Sequence, residues 1–281
     1  MTESEIKAMV SLLEDDDKEV INHIENQIYS FGEQIIPYLE DEWARQFSPD
    51  VQKRIENILQ LLNYKVVRTR LLDWVKNDST DLLKGMWIIA TYQYPDLQLE
   101  ELRKKVEQLY FDAWVEFKTD LLPTEQIKLL NSIFFHKFRF RANTSNIKAV
   151  SNSMINTTLE SKKSNPIGLC VLYILIAQKL KLPIYGVNLP NVFIVTYKTA
   201  EIQFYINVFN KGLTYIKQDI ENYIMNLHVT SRELFYEPCS HLDIIRRVMR
   251  NLIVAYEDLG DKERVEDIKR LLDEISEGEF L

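Results

Sequence analysis

Two cysteines and four histidines are the residues of this 281-residue chain that could carry nucleophilic chemistry. Cys170 stands shortly after Asn165–Pro166. A thiol near the start of a helix, beside an imidazole, is the arrangement that forms covalent acyl intermediates. The histidines that could supply the imidazole are His23, His136, His228 and His241. The residue types for cysteine-dependent hydrolysis or acyl transfer are therefore present, and their use depends on whether the fold brings them together.

A buried helix and a pair of strands would have to position Cys170. Pro166 is suited to the first turn of a helix, and apolar residues follow at helical spacing as far as Leu182–Pro183. Two later segments, Asn191 to Tyr197 and Ile202 to Val208, are rich in β-branched and aromatic residues. Such composition predicts strands.

The residues in and around these elements resemble the SirB-type proteins, a bacterial transglutaminase-like family. In that family the later segment typically reads Gly-Val-x-x-Pro-Gly-His-Phe, and here Gly186–Val187 is followed by Leu189–Pro190–Asn191–Val192–Phe193. Upstream residues with the spacing of the family are Leu130, Asn131, Phe135, Phe138, Phe140, Asn143, Asn152, Ser153, Asn156 and Leu159. The resemblance covers roughly residues 130 to 215. It implies a small cysteine-proteinase-like core with a Cys/His/Asp-type constellation.

The resemblance also implies that the catalytic positions are substituted in this chain. The nucleophile position falls on Gly168, the base position on Val192, and the residue that would orient the base on Asn207. Glycine has no side chain to attack with, and valine cannot transfer a proton. Cys170 is two residues further along the helix and points roughly 200° away from Gly168, at about 100° per residue. It is either a small buried hydrophobe or, if the helix starts later, a displaced nucleophile.

Three functions follow from these alternatives. The leading hypothesis is a non-catalytic transglutaminase-like protein that acts as a scaffold or protein-binding module. We favour this hypothesis because loss of the nucleophile or the base of a concerted triad lowers turnover on the order of a million-fold. The first alternative is a cysteine-dependent amide hydrolase or acyl transferase, with Cys170 as nucleophile and His228 or His241 as base. The second is a helical-repeat adaptor that binds through its N-terminal helices.

The other histidines and Cys239 give weaker signals. His136 lies in an aromatic and basic run, Phe134 to Arg141, which could stack bases or hold phosphates but also fits the exposed end of a helix. Cys239 and His241 are spaced like a pair of metal ligands, yet no second pair accompanies them, and Ser240 is a good helix cap. We predict no cofactor and no metal site.

Helices should dominate the fold, because glycine and proline number only 7 and 8. The N-terminal apolar pattern predicts a helical hairpin with a turn and cap at Asp15 to Asp17. Leu12 to Val20 can be laid over Trp74 to Leu82, which resembles the recurrence of stacked HEAT-type hairpins. Ser48–Pro49–Asp50 predicts the start of a further helix between the two copies.

The C-terminal segment, Leu242 to Leu272, resembles a tetratricopeptide-type hairpin with a turn at Gly260–Asp261. We expect this single hairpin to pack on the preceding core. The predicted fold class is α+β and predominantly helical, with a short antiparallel sheet. The predicted domains are a HEAT-like helical domain at 1–120, a degenerate transglutaminase-like core at 121–235 and the hairpin at 236–281.

Charge and composition disfavour several classes of protein. Asp and Glu total 42 against 34 Lys and Arg, a formal net charge of -8, so a nucleic acid partner is not expected. No apolar run approaches the roughly 20 residues of a membrane span, and the N-terminus lacks the pattern of a signal peptide. Two cysteines without a CxxC pair favour neither a disulfide framework nor a zinc site. We predict a cytoplasmic protein with a protein partner and no membrane association, and the sequence leaves its oligomeric state open.

Overall fold

The computed structural model describes residues 3–15, 17–230 and 232–276. It confirms a predominantly helical α+β fold. The chain divides into two compact units, Met1–Leu71 and Leu72–Leu281. The helices between residues 82 and 114 thus belong to the second unit, and the predicted division into domains 1–120, 121–235 and 236–281 stays a prediction.

The first unit is built from helices alone in its described residues. They are α1 (Glu3–Leu12), α2 (Lys18–Ser30), α3 (Ile36–Arg45) and the first part of α4 (Pro49–Asn77). Asp17 caps α2, because its Oδ1 accepts a hydrogen bond from the Glu19 N–H at 2.8 Å. Asp16, in the middle of the predicted turn, lies outside the described residues. The start of α4 at Pro49 confirms the signal in Ser48–Pro49–Asp50.

One apolar core holds this unit together. Its buried members recur at helical spacing and include Ile6, Leu13, Ile28, Leu39, Val51, Ile55, Ile58 and Leu62. Each helix contributes one apolar stripe, which explains why none of them would be stable alone.

The second unit surrounds a small sheet with helices. After the end of α4, its first helices are α5 (Leu82–Thr91), α6 (Leu99–Trp114) and α7 (Pro123–Ser132). The central pieces are β1 (Arg141–Ala142), α8 (Ile155–Ser161), β2 (Lys163–Ser164) and α9 (Pro166–Lys179). The sheet strands are β3 (Ile184–Asn188), β4 (Phe193–Lys198), β5 (Gln203–Asn207) and β6 (Leu213–Tyr215). The last helices are α10 (Lys217–Asn226), α11 (His241–Leu259) and α12 (Lys262–Glu274).

The sheet is antiparallel, with order β3-β4-β5-β6, and a short parallel pair, β1-β2, lies apart from it. Asn188 pairs with Phe193 at the end of the first hairpin, so residues 189–192 form the connecting turn. β4 and β5 fall where the two predicted strands were expected, within two residues at each end. The short antiparallel sheet of the predicted fold is therefore present.

Helix α9 is the centre of the second unit. It begins at Pro166, as predicted, and every residue from Ile167 to Ile174 is buried. It contacts α6, α11, β3 and β4. A helix that is apolar on all sides is stable only when surrounded in this way.

The C-terminal hairpin packs on earlier helices of the same unit. Gly260 ends α11 in the left-handed conformation at φ 73°, and Asp261 caps α12, which confirms the predicted turn. The Tyr92 hydroxyl donates to Asp267 Oδ2 at 2.8 Å, and the Tyr256 hydroxyl donates to Gln93 Oε1 at 3.1 Å. These bonds join α11 and α12 to the end of α5. No helix in the described residues is both long and apolar enough to cross a bilayer.

Candidate functional site

Cys170, the candidate nucleophile, lies in the interior of the second unit. Its side chain is 0% exposed, and its thiol is 3.6 Å from the Phe193 carbonyl oxygen, to which it donates. Burial raises the pKa of Cys170 far above its ordinary value of 9.0. The protonated form therefore dominates at neutral pH, and a substrate has no direct access to the sulfur.

Gly168 lies in the first turn of α9 with no room for a side chain. Its N–H donates to the Asn165 side-chain oxygen at 2.9 Å, which makes Asn165 the cap of the helix. A Cβ atom on Gly168 would overlap Ser164 Oγ and lie 2.7 Å from the Asn152 carbonyl oxygen. A nucleophile at this position would point at Ser164 and not into open space.

Val192 and Asn207 lie in other surroundings. The Val192 side chain is partly buried against an apolar cluster whose members are Val187, Leu189, Ile194, Tyr205, Ile220 and Ile224. Asn207 Oδ1 accepts a hydrogen bond from the Asn210 N–H at 3.1 Å and so caps the turn after β5. Their assignment as vestigial positions, with Gly168, stays a prediction.

A cleft of about 220 Å³ opens beside the start of α9. None of Gly168, Cys170, Val192 and Asn207 is among the described residues that line it. Its polar lining consists of Lys148, Ser153, Asn165, Asn191, Arg247 and Asn251. Its apolar lining consists of Ile147, Pro166, Ile167, Phe193 and Val254. The described lining includes the chain neighbours of Gly168 and Val192, but not these two residues themselves.

One face of α11 forms a wall of the cleft. Arg247, Asn251 and Val254 follow the i, i+4, i+7 spacing that places residues on one side of a helix. Arg247 Nη1 donates to Asn188 Oδ1 at 3.0 Å and lies 3.5 Å from the Leu189 carbonyl oxygen. Burial, and next the charge of Arg250, lower the pKa of Arg247 from its ordinary value. The guanidinium remains charged, because arginine titrates far above neutral pH.

The amide side chains of Asn143 and Asn152 hold a second wall of the cleft in place. Asn152 Nδ2 donates to the carbonyl oxygens of Asn146 at 2.6 Å and Ile147 at 3.0 Å. Its Oδ1 accepts from Asn143 Nδ2 at 2.9 Å. The loop that bears Ile147 and Lys148 is therefore fixed from beneath by Asn152, which gives Asn143 and Asn152 a structural role.

Ser153 and Asn165 line the cleft next to the first turn of α9. Asn165 Nδ2 donates to Ser153 Oγ at 3.3 Å. Both side chains are almost wholly buried, at 3% exposure. The polar groups here are fixed before any ligand arrives.

The histidines do not assemble into a site with Cys170 in the contacts of the described chain. The His241 Nδ1 atom is 2.8 Å from the Thr80 carbonyl oxygen, and Ser240 caps α11, as predicted. His23, His136 and His228 are exposed. Burial raises the pKa of the partly buried Cys239 to about 12. No group of three or more His, Cys, Asp or Glu in residues 3–15, 17–230 and 232–276 could hold a metal ion, and the expectation of no metal site stays a prediction.

Neither Arg247 nor Lys148 stands out in the sequence. The chain has 34 basic residues, and neither of these two lies in a motif that marks it as a binding residue. The sequence signal that could have indicated the cleft was the helical spacing of Arg247, Asn251 and Val254, on a side of α11 different from its apolar face. That spacing marks a shared face but does not say what lies opposite.

Comparison with known proteins identifies the second unit. Residues 100–250, more than half of the chain, match the protein family Transglut_core2, which is described as the transglutaminase-like superfamily. A UPF0162 protein of Xylella fastidiosa strain 9a5c is 25% identical over 199 residues, covering 65% of this chain and 67% of that protein.

Two further relatives match shorter segments. F-box only protein 21 of Mus musculus is 24% identical over 159 residues, covering 54% of this chain and 24% of that protein. The UPF0162 protein PM0557 of Pasteurella multocida is 30% identical over 94 residues, covering 34% of this chain and 36% of the relative. No solved structure gives a significant match.

Proposed function

This chain belongs to the transglutaminase-like superfamily, and from that premise we propose that it is a non-catalytic member that acts as a scaffold or protein-binding module. The proposal includes a cytoplasmic location and a protein partner. It also includes membership of the SirB-type group, on the motif residues Asn152–Ser153, Pro166–Ile167, Gly186–Val187, Pro190 and Phe193.

The burial of Cys170 carries this proposal. Cysteine chemistry requires a thiolate that can reach a substrate carbonyl. Here the candidate thiol is fully buried, donates to the Phe193 carbonyl oxygen and has a raised pKa. Use of Cys170 as a nucleophile would require both ionisation in an apolar interior and movement of β4 away from α9.

The lining of the cleft supports binding in place of catalysis. It offers a guanidinium, an ammonium, three amides and a hydroxyl beside apolar side chains. These groups can hold a polar ligand through hydrogen bonds and charge. The matched region makes up 24% of F-box only protein 21, which supports a segment of this kind serving as one module within a longer protein.

An activity assay with matched cysteine variants tests the proposal. Purified full chain is incubated with glutaminyl and peptide amide substrates, and ammonia release and amine incorporation are measured. We expect no thiol-dependent turnover in the wild type, in Cys170→Ala or in the control Cys239→Ala. Turnover that disappears in Cys170→Ala and persists in Cys239→Ala would instead establish the cysteine-dependent enzyme.

A binding experiment tests the positive half of the proposal. The full chain and a variant with a negative charge added in the cleft, Asn251→Asp, are used as baits after photo-cross-linking in cell extract. We expect a discrete protein recovered by the wild type and lost with Asn251→Asp. Equal recovery by both baits would show that the partner binds outside the cleft, for example on the N-terminal helices, as the helical-repeat adaptor alternative requires.

A further inference from the structure

We propose that the cleft beside α9 binds a carboxylate attached to an apolar group, as at the C-terminus of a peptide chain. This inference deepens the proposed function, since it names the chemistry by which a partner would be recognised. It rests on the charge of the cleft, on free donors of Arg247 and Ser153, and on the size of the space.

The cleft has an excess of positive charge in an acidic protein. The chain carries a formal charge of -8. Among the described residues that line the cleft, Lys148 and Arg247 are cationic and none is acidic. Low-dielectric walls strengthen the attraction of such a site for an anion. The cleft is therefore suited to a negatively charged group, although the chain as a whole is acidic.

Arg247 keeps donors available for a ligand. Both of its hydrogen-bonding contacts in the described chain, to Asn188 and to the Leu189 carbonyl, use Nη1. Within the same residues it forms no ion pair, so Nε and Nη2 have no protein acceptor there. A guanidinium edge with two N–H groups matches the two oxygens of a carboxylate. An arginine that is partly buried without an acidic partner is the group an incoming carboxylate would neutralise.

Ser153 adds a second, independent donor. Its side chain is 3% exposed and lines the cleft. Its oxygen accepts from Asn165 Nδ2 at 3.3 Å, and in the described chain its hydroxyl hydrogen has no acceptor. A buried hydroxyl with an unused donor gains a hydrogen bond from a ligand oxygen. The start of α9, at Asn165 and Pro166, adds the positive end of the helix dipole on the same side.

The charge balance favours a single negative charge. Lys148 already forms an ion pair with Asp258 at 3.0 Å. Of the two cations in the described lining, this leaves Arg247 without an acidic partner, and one free cation matches a carboxylate better than a phosphate dianion. A carboxylate is also planar, like the guanidinium edge.

The size and apolar side of the cleft favour a chain terminus. Its volume of about 220 Å³ is below the roughly 300–1,000 Å³ of sites for drug-sized ligands. Ile147, Ile167, Phe193 and Val254 supply apolar contact next to the polar donors. A terminal residue with an apolar side chain carries a carboxylate and an apolar group next to each other, and capture of a C-terminal carboxylate is an established mode of peptide recognition.

Small model compounds test the proposal on the full chain. Binding of N-acetyl-L-leucine, of its amide N-acetyl-L-leucinamide and of inorganic phosphate is measured by calorimetry and by NMR titration. We expect the free acid to bind at least tenfold more tightly than the amide, with phosphate weaker than the acid. Equal binding of acid and amide, or no binding of either, overturns the proposal, and tighter binding of phosphate replaces the carboxylate with that anion.

A further compound separates the two sources of a carboxylate. The peptide acetyl-Leu-Asp-Leu-amide carries its carboxylate on a side chain and has no free C-terminus. We expect it to bind at least tenfold more weakly than N-acetyl-L-leucine. Binding as tight as that of the free acid would contradict recognition of a chain terminus.

Variants locate the binding at Arg247. Arg247→Gln should weaken binding of N-acetyl-L-leucine at least tenfold. The near-isosteric Asn251→Asp should weaken it similarly, because it adds to the cleft a negative charge that repels the carboxylate of the ligand. The matched control is Arg250→Gln, which removes the same charge from an exposed position one turn away on α11 and should change affinity less than about threefold. Each variant is first shown to melt cooperatively. An equal loss of affinity in Arg250→Gln would show that the effect is general electrostatics and would overturn the site.

If the compounds fail to bind while a partner is still captured and no turnover appears, the carboxylate site fails and the proposed function stands.

Discussion

The side chain that Gly168 lacks would have to occupy the space now held by Ser164. The Ser164 hydroxyl donates to the Asn152 carbonyl oxygen at 2.6 Å and accepts from the Thr158 hydroxyl at 3.1 Å. All of these groups are buried. The packing of the first turn of α9 therefore leaves no room for a side chain at position 168, and a thiol introduced there would displace Ser164.

Gly168→Ala should destabilise the protein. Overpacking of a dense core typically costs about 1–3 kcal/mol, while alanine is favoured over glycine in a helix by about 1 kcal/mol. Because the new Cβ overlaps Ser164 Oγ, we expect an overpacking cost at the upper end of that range and a net loss of about 1–2 kcal/mol. Chemical denaturation measures it. The double variant Gly168→Ala with Ser164→Ala should lose less than the sum of the two single changes, and strict additivity would show that the two side chains do not compete.

Cys170 should make the protein sensitive to alkali. Its pKa is raised in the folded state, so above pH 9.0 the unfolded chain releases a proton that the folded chain keeps. Stability from this group is complete below pH 9.0 and declines as pH rises further, by up to about 1.4 kcal/mol per pH unit. Denaturation between pH 8 and 10 should give a shallower decline for Cys170→Ala than for wild type. An unchanged slope would mean that the thiol ionises with equal ease in both states.

Individual residues show which features could be predicted from the sequence and which could not. The fold around Cys170 was open to prediction because Pro166 and the apolar run after it are local signals. The side chain of Val192 was not, since its direction depends on a turn between β3 and β4 and on packing against α10. Arg247 acts in the cleft through residues about 60 to 100 positions away in the chain, a relation that no local pattern carries.

At the scale of elements, capping side chains mark the starts of five helices in the described residues, α2, α5, α9, α11 and α12. Asn165, Asp81 and Ser240 each accept a hydrogen bond from a backbone N–H in the first turn of the following helix. Such signals depend on two or three neighbouring residues and can be read directly from a sequence. The ends of β3 and β6 had no such signal, and pairing with β4 and β5 defines them.

Ser240→Ala should loosen the start of α11. Ser240 Oγ accepts from the Asp243 N–H at 3.1 Å, and the Ser240 N–H donates to Asp243 Oδ2 at 2.9 Å. Loss of such a cap typically costs about 1 kcal/mol, and because Ser240 is exposed, no cavity adds to the cost. Thermal or urea denaturation measures the change, with Ser240→Thr as the control that keeps the cap. Equal stability of the alanine and threonine variants would contradict a role for the hydroxyl.

At the scale of the second unit, α11 and α12 are part of the core and not an appended hairpin. Val248, Met249, Leu252 and Tyr256 of α11 are buried, and α11 contacts α5, α9 and β3. Since α5 lies about 160 residues earlier than α11, the closure of this unit brings distant segments together. The sequence predicted that the hairpin packs on a core, but not that α5 belongs to that core.

Tyr92→Phe should weaken this closure. The Tyr92 hydroxyl donates to the Asp267 carboxylate at 2.8 Å, and burial is the main reason that the pKa of Tyr92 is raised. Hydrogen bonds to charged groups contribute about 1.5–3 kcal/mol, so we expect a loss in that range, because the Asp267 carboxylate also loses its partner. The control is Tyr94→Phe, where the hydroxyl forms no hydrogen bond within the described residues. Similar melting temperatures for the two variants would argue against the contact.

The wall that α11 gives to the cleft also sets when the cleft can exist during synthesis. Val254 emerges about 60 residues after Phe193, roughly 3 to 12 s later at about 5–20 residues per second. Until α11 has been made and has docked, the loop at Ile147, the start of α9 and the turn at Asn191 enclose no space. A nascent chain that lacks α11 also lacks this wall of the cleft, so the complete site can form only after α11 has been synthesised.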